Sequence, residues 1–507
     1  MTVLSKFDFD LGAIRQEHLI LCLRTIGAII ILQVVLGVAY NLLFHPLKKF
    51  PGPKLAAATN LYFYYRVLRG EESSWLCECH EKYGEVVRVG PGKLSYIAPQ
   101  AWKDIAGHRT GGRQEFLKDP KFYRRDTNGD YHIVAEPDTE THGLVRRVFA
   151  NAFSDKALKL QEPLISLHVN KLKKFIDKNL SEDPETPMNL VTLLNCTTFD
   201  IMGDLTFGES LGMLDTGKYT QWVKGVFEGI KVNSLFRLAQ QYPVLDFFMK
   251  ALMPPPIRGK DVEHFRHSSD RVDKRLEKGI DIGKSDIWKL VLQNQKVKLP
   301  LSKMHSNASA FMVAGTETTA TLLSGLTYLL LTHPDKLKKV VEEVRALPKE
   351  DLRLEVLPRL QYLSVCFQEA LRCYPPVPIG LPRVVPQGGS MICGEWIPEK
   401  TTVAVSQKAA YSSSLNFKDA KDFVPERWLP GSGYDTDRKE VLQPFSFGPR
   451  SCLGKNLAFH EMRLIAAMIL WHYDLELCPE SKTWIDQKAY IVYEKPELMV
   501  KLRPVQR

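Results

Sequence analysis

The chain is predicted to be mainly α-helical with a small β portion, preceded by one N-terminal transmembrane helix. Three observations predict it. Residues 25–44 form a run of twenty residues without a charge. Helical periodicity dominates from about residue 101 to residue 472. Strand-like alternation is confined to two short segments near residues 84–97. With 507 residues, 44% hydrophobic and 25% charged, the chain can bury a large core. No Gly/Ser-rich linker, low-complexity tract or internal repeat divides it. Nine cysteines at irregular spacings do not read as a disulfide framework. The formal charge of +10 is spread along the chain. It suits a membrane surface or an acidic protein partner, and no nucleic-acid-binding motif accompanies it.

Residues 25–44 are long enough to cross a hydrocarbon core as a helix. The run is too long for a signal-peptide core, and no small-residue cleavage site follows, so it reads as a retained anchor. Lys48, Lys49 and Lys54 follow it, while Arg15 and Arg24 precede it. The positive-inside rule then leans towards a cytosolic body, residues 56–507, and a short lumenal tail, residues 1–24. Between anchor and body, residues 45–55 contain Phe50-Pro-Gly-Pro53, a stiff proline-rich hinge. On that orientation the sequons at Asn179, Asn195 and Asn307 stay unglycosylated. Residues 84–90 and 93–97 follow as strands joined by a Pro-Gly turn. Cys77-Glu-Cys79-His80 lacks the second ligand pair that a zinc site needs.

His142 and Arg146 stand one helical turn apart, the spacing of a solvated face or of a paired anion contact. Residues 301–333, between Pro300 and Pro334, allow about nine helical turns. In them Ala310, Ala314 and Thr318 fall at i, i+4 and i+8, so one face carries two small residues and a hydroxyl. Gly315 costs about 1 kcal/mol in a helix interior, which suggests a purpose such as a close approach. Threonines there can also bond back to carbonyls a turn earlier and loosen the helix. Glu369 and Arg372 are i, i+3 neighbours on a helix that ends at Pro375-Pro376, and Arg427 follows in Phe423-Val-Pro-Glu-Arg-Trp428. Last comes Phe445-Ser-Phe-Gly-Pro-Arg-Ser-Cys-Leu-Gly454, directly before a helical run. A cysteine at a helix start meets unpaired N–H groups and the positive end of the dipole, both of which favour the thiolate. Gly448 and Gly454 admit a flat, bulky ligand close to the backbone. A thiolate so held suits haem iron. A buried free cysteine is the plainer alternative.

That segment resembles the haem-binding loop of the cytochrome P-450 family: Phe445, Gly448, Arg450, Cys452 and Gly454 all match its pattern. The resemblance implies the α-rich P-450 fold and a haem b cofactor with Cys452 as axial iron ligand. It implies that Phe445 packs near the sulfur and that Arg450 pairs with a haem propionate. His142, Arg146 and Arg383 would be further propionate partners. Ala314-Gly315-x-Glu317-Thr318 resembles the family's oxygen-binding groove, with Glu317 and Thr318 as the acid–alcohol pair that relays protons. Glu369, Arg372 and Arg427 would form a structural ion network behind the haem.

The activity implied is insertion of one oxygen atom from O2 into an organic substrate, hydroxylation foremost. Electrons would come from NADPH through the flavins of a separate reductase, with cytochrome b5 as a further candidate donor, since no dinucleotide fingerprint is present. Lys455 and Arg147 are candidates for the reductase-facing patch. The hinge resembles that of endoplasmic-reticulum members, and the wording around it resembles fungal secondary-metabolism members such as trichothecene-pathway hydroxylases. Substrate contacts are expected from residues 107–136, 211–243, 377–381 and 490–493, whose side chains suit an apolar terpenoid or polyketide. Rival readings are a haem-thiolate isomerase, desaturase or peroxygenase, a haem-binding sensor, and a haem-free membrane scaffold.

Overall fold

The computed structural model describes residues 11–109, 114–252, 255–280, 283–293 and 298–506. Helix α1 (Leu11–Leu43) carries apolar side chains all round and buries none of its candidate membrane span, His18–Leu43, of mean hydropathy 2.5. It begins before the uncharged run because helical hydrogen bonding continues through Arg24, whose long side chain can reach an interface. Residues 1–10 of the expected tail lie outside the described residues.

The proline-rich stretch is not a free spacer. Leu47 is fully buried within one 3-10 turn, Pro46–Lys49. The Arg88 backbone N–H donates to Pro51 O at 2.7 Å, and a Cβ on Gly52 would lie 2.2 Å from Arg88 O. The buried Arg88 guanidinium donates to Asn41 O at the end of α1 and to Pro91 O. The proline-rich stretch and the end of α1 are therefore fastened to the first strand of the body.

That strand, β1 (Val86–Gly90), pairs antiparallel with β2 (Lys93–Tyr96) across a Pro91-Gly92 turn, as the alternation predicted. With β3 (Leu117–Lys118), β4 (Arg383–Val384) and β5 (Thr402–Val405) they form a five-stranded sheet in the order β1-β2-β5-β4-β3. Its register sets Lys118 directly across from Arg383. Two cations opposed in this way repel, a point taken up below.

Apart from a three-stranded sheet and a two-stranded one, the rest of the body is helical around a second, larger core. Helix α2 (Pro99–Ala106) packs on β5 of the sheet, α3 (Thr139–Ala150) runs into the turn Asn151–Phe153, and α4 (Leu190–Phe207) is buried almost throughout. Packed on α4 is α7 (Leu301–Leu331), with α5 (Gln221–Ala239) and α6 (Pro255–Glu277) outside it. Helix α8 (Gln361–Cys373) and helix α9 (Lys455–His472) both contact α7. Asn195 and Asn307 are buried, which closes both sequons to glycosylation.

Candidate active site

Cys452 lies in the loop that leads into α9, and the loop's shape is set by its own backbone. Its N–H donates to Phe445 O at 2.7 Å, closing the turn. Ser446 and Gly448 adopt left-handed φ values of 61° and 72°. A Cβ on Gly448 would fall 2.0 Å from Ala106 O, so this glycine is demanded by α2. Gly454 differs: a Cβ there would meet nothing nearer than Phe153 Cε1 at 3.9 Å, leaving open space along this wall. Phe445 packs on Phe459 with ring centroids 5.2 Å apart. The helix cap is Gly454, two residues past Cys452. Burial pushes the Cys452 thiol up despite the opposing Gly454 N–H and the charges of Arg146 and Lys455.

Cys452 opens on a cavity of about 270 Å³ shared with Ala314, Gly315, Thr318 and Thr319 of α7. The Thr318 hydroxyl donates to Ala314 O at 2.7 Å, the back-bond anticipated for this helix. Gly315 also has a packing reason, since its Cβ would lie 2.8 Å from Met202 Sδ on α4. Apolar walls come from Ile133, Phe153, Phe311, Val377 and Leu457, among others. Of the stretches expected to touch substrate, residues 107–136 and 377–381 contribute here, whereas 211–243 and 490–493 do not. Residues 110–113 lie outside the described residues.

One part of the rim is basic: Lys118, His142, Arg146, Arg383 and Arg450 all line it. Arg146 donates to Ser451 O at 2.6 Å and Arg383 to Phe116 O at 3.4 Å. Arg450, expected to face a propionate, is held by Glu115 at 2.7 Å and by the carbonyls of Glu136 and Pro137. Burial, then the charges of Arg450, Lys118 and Arg146, lowers His142 to about 4, so it is a neutral hydrogen-bonding group. Lys118 was missed from the sequence because its short strand, β3, carries no motif. Burial, together with Arg383 and Arg450, holds its amine well below the usual lysine range. Glu461 of α9 was missed too, although it lies one turn beyond Leu457. It lines the cavity with both carboxyl oxygens unpartnered, and burial pushes it well above the usual carboxyl range.

Glu317 does not join Thr318 at this cavity. It is buried in an ion pair with Lys495, and its Oε1 also accepts from Thr321 at 3.3 Å. Neighbours along a helix point about 100° apart, which places one on each of two cavities.

The Glu369 network is complete. Arg372 grips Glu369 with two bonds of 2.9 and 2.7 Å, and Arg427 Nε donates to the same carboxylate at 2.9 Å. Trp428 Nε1 and the Val424 N–H add two more at 2.9 Å each. Asp437, which the spacing did not reveal, takes Arg427 at 2.7 Å and balances the charge. On the outer side of the loop, Lys159, Arg359, Lys439, Lys455 and Arg463 line a surface depression that reaches Cys452. Arg147 is exposed on α3 and lies outside that depression.

The cytochrome P-450 family profile matches residues 51–502. The chain belongs to the cytochrome P-450 family. It is 49% identical over 466 residues to the cytochrome P450 monooxygenase FUM2 of Gibberella moniliformis, covering 91% of this chain and 98% of that one. It is 46% identical over 490 residues to the monooxygenase efuB of Hormonema carpetanum, covering 95% and 96% of the two chains. To AMT3 of Alternaria alternata it is 46% identical over 466 residues, covering 91% and 95%. The P-450 chain described here is therefore a monooxygenase whose cofactor is haem b. The site fits that group. A thiol faces the cavity, Gly454 leaves open space beside it, and the opposed pair Lys118–Arg383 calls for an anion such as a propionate.

Proposed function

We propose that this P-450 inserts one oxygen atom into an apolar intermediate of fungal secondary metabolism, terpenoid or polyketide, by hydroxylation. The observation that carries the substrate class is the cavity beside Cys452, whose walls beyond the basic rim are mostly aliphatic and aromatic, with Glu461, Gln407 and the threonine and serine hydroxyls as the polar exceptions. Fungal relatives at 46–49% identity support the metabolic setting.

Cys452 is the residue to hold the iron, and Lys118, His142, Arg146, Arg383 and Arg450 are the groups to receive the propionates. Bound there, haem supplies dioxygen activation, which the thiolate favours by donating electron density. Ala314 and Gly315 keep α7 slender beside the cavity. Thr318 presents a hydroxyl to it, and Glu317 is the acid one residue away that supplies the proton. Apolar walls exclude bulk water, so protons enter only through such groups. Glu369, Arg372 and Arg427 brace the loop from outside the cavity and touch no reactant.

Electrons reach the site from NADPH through a separate flavoprotein reductase, docking at the lysine- and arginine-lined depression outside Cys452, with cytochrome b5 as a second donor. Helix α1 spans the endoplasmic-reticulum membrane once and leaves the body in the cytosol. Protease digestion of sealed microsomes should remove the body, and its protection would reverse the topology. Comparative metabolite profiling with and without the gene tests the reaction itself. Accumulation of a compound one oxygen lighter than the lost product is the expected result. A difference of two hydrogens, or an isomer, would make the enzyme a desaturase or isomerase.

A further inference from the structure

A chamber of about 50 Å³ lies on the far face of the five-stranded sheet from Cys452, and among the described residues the two cavities share no lining. Alternation along extended chain divides them. Leu381, Arg383 and Val405 turn towards Cys452, while Pro382, Ala404 and Ser406 turn towards this chamber. Its other walls come from the helices Asn60–Leu68 and Glu72–Tyr83, from β2, from the segment after β3 and from the last turn of α5. Phe63, Leu76, Val89, Leu94 and Phe122 make much of that lining apolar.

Three cations and two carboxylates reach it: Lys93, Lys121, Arg237, Glu72 and Asp119. Arg237 and Glu72 form a buried pair at 3.1 Å. Asp119 accepts from the Lys121 backbone N–H at 2.9 Å and from the Thr402 hydroxyl at 3.1 Å. Lys93 is the odd charge. Its ammonium donates to the Tyr64 hydroxyl at 2.9 Å and stands 4.7 and 4.5 Å from the ring centroids of Phe63 and Tyr64. Among the described residues no carboxylate pairs with it, and no acceptor takes the proton of the buried Tyr64 hydroxyl. An ammonium has three protons to donate, so two remain beside the hydroxyl's one. Donors are therefore in surplus, and the five charges leave one positive. A single carboxylate satisfies both counts, whereas a phosphate dianion would leave net negative charge within apolar walls.

We propose that this chamber binds the carboxylate of an aliphatic acid, held by the Lys93 ammonium and the Tyr64 hydroxyl, with the adjoining methylenes against its apolar walls. Exposed Lys121 and half-buried Phe122 mark the mouth through which the rest of the chain leaves. The helix that carries Tyr64 also exposes Leu61 and Tyr65. Asn41 at the end of α1 donates to Ala58 O at 2.9 Å, which keeps that helix beside the membrane anchor, where amphiphilic acids gather. Burial is the main reason that the Lys93 amine is lowered to about 7, with Arg237 and Lys121 adding to it and Asp119 and Glu72 opposing it. A bound carboxylate needs the ammonium, so binding is at full strength below about pH 7 and weakens above it as the empty site loses its proton.

The test titrates the full-length, haem-bound protein in nanodiscs with radiolabelled hexadecanoate, empty nanodiscs supplying the background. Saturable binding of one molecule per chain is expected, with hexadecanol unable to displace it. Lys93→Met should weaken it at least tenfold and Tyr64→Phe several-fold, while Lys93→Arg should keep it. Lys93 donates to no group but the Tyr64 hydroxyl, so the variants should retain wild-type haem content and melting temperature, which shows that the fold is intact. Wild-type affinity should fall by up to tenfold per pH unit above about pH 7, and that of Lys93→Arg should stay level to pH 9. Equal affinity in wild type and Lys93→Met overturns the proposal, as does displacement by hexadecanol, an absence of saturable binding or a level wild-type pH profile. The haem absorption band identifies the source of the acid. A shift on saturation that Lys93→Met abolishes assigns the carboxylate to a chain that reaches the Cys452 cavity as substrate. Lys93-dependent binding without a shift assigns it to a separate acid drawn from the bilayer. Neither readout requires turnover, so a chain that oxygenates nothing leaves this test standing.

Discussion

At the scale of single residues, Cys452 and Arg372 have different reasons to be irreplaceable. Cys452 faces the cavity and makes no side-chain bond that the fold depends on. Cys452→Ser should therefore leave a folded protein whose carbon monoxide complex loses the spectrum of thiolate ligation. An unchanged spectrum would remove Cys452 from the iron. Arg372 is fully buried and makes bonds to Glu369 and to the carbonyls of Tyr411, Ala420 and Asp422. Arg372→Ala strands Glu369 and unties three carbonyls, at about 3–5 kcal/mol. The expected outcome is failure to incorporate haem, read as the haem-to-protein ratio. Full haem content in that variant would show that the network is dispensable. Side-chain spacing revealed Glu369, Arg372 and Arg427, but Asp437 and Trp428 became visible as members only when the loops folded over α8.

At the scale of elements, the Cys452 loop separates two glycines that the sequence treats alike. Gly448 has a left-handed φ and faces Ala106 O, so Gly448→Ala should cost more than about 2 kcal/mol from strain and collision. Gly454 has an ordinary φ of −87° and open space before it. Gly454→Ala should leave thermal unfolding of the haem-free protein unchanged while lowering haem affinity. Equal melting losses in the two variants would contradict this division. The α7 helix shows the same lesson in its acid and alcohol. Periodicity located Thr318 and its small neighbours on one face, but it gave no sign that Lys495, 178 residues later, would hold Glu317 on another.

For the whole molecule, acid should be destabilising well before the carboxylates titrate. Burial is the leading cause that lowers His80, His132, His264 and His460 to about 4. An unfolded histidine titrates near 6.5, so between these values the unfolded chain binds more protons than the folded one. Stability is thus full above about pH 6.5 and falls as the pH drops towards 4. Denaturant unfolding at pH 7 and pH 5 should differ on the order of several kcal/mol. A flat profile would mean that these rings are hydrated in solution.

The sequence by itself determined the mainly helical class, the apolar N-terminal helix, the β1–β2 hairpin and the family. Each rests on local order: an uncharged run, a helical or strand period, a short motif read within one turn. Tertiary structure alone decided what long-range contacts decide. It fastened the proline-rich stretch to β1 through Arg88, and it brought Lys118 opposite Arg383 across a sheet whose strands are 265 residues apart in sequence. It left Glu461 bare at the cavity and turned Glu317 to Lys495. A charge in a dry interior takes whatever partner the fold brings near, and spacing along the chain carries no record of that choice.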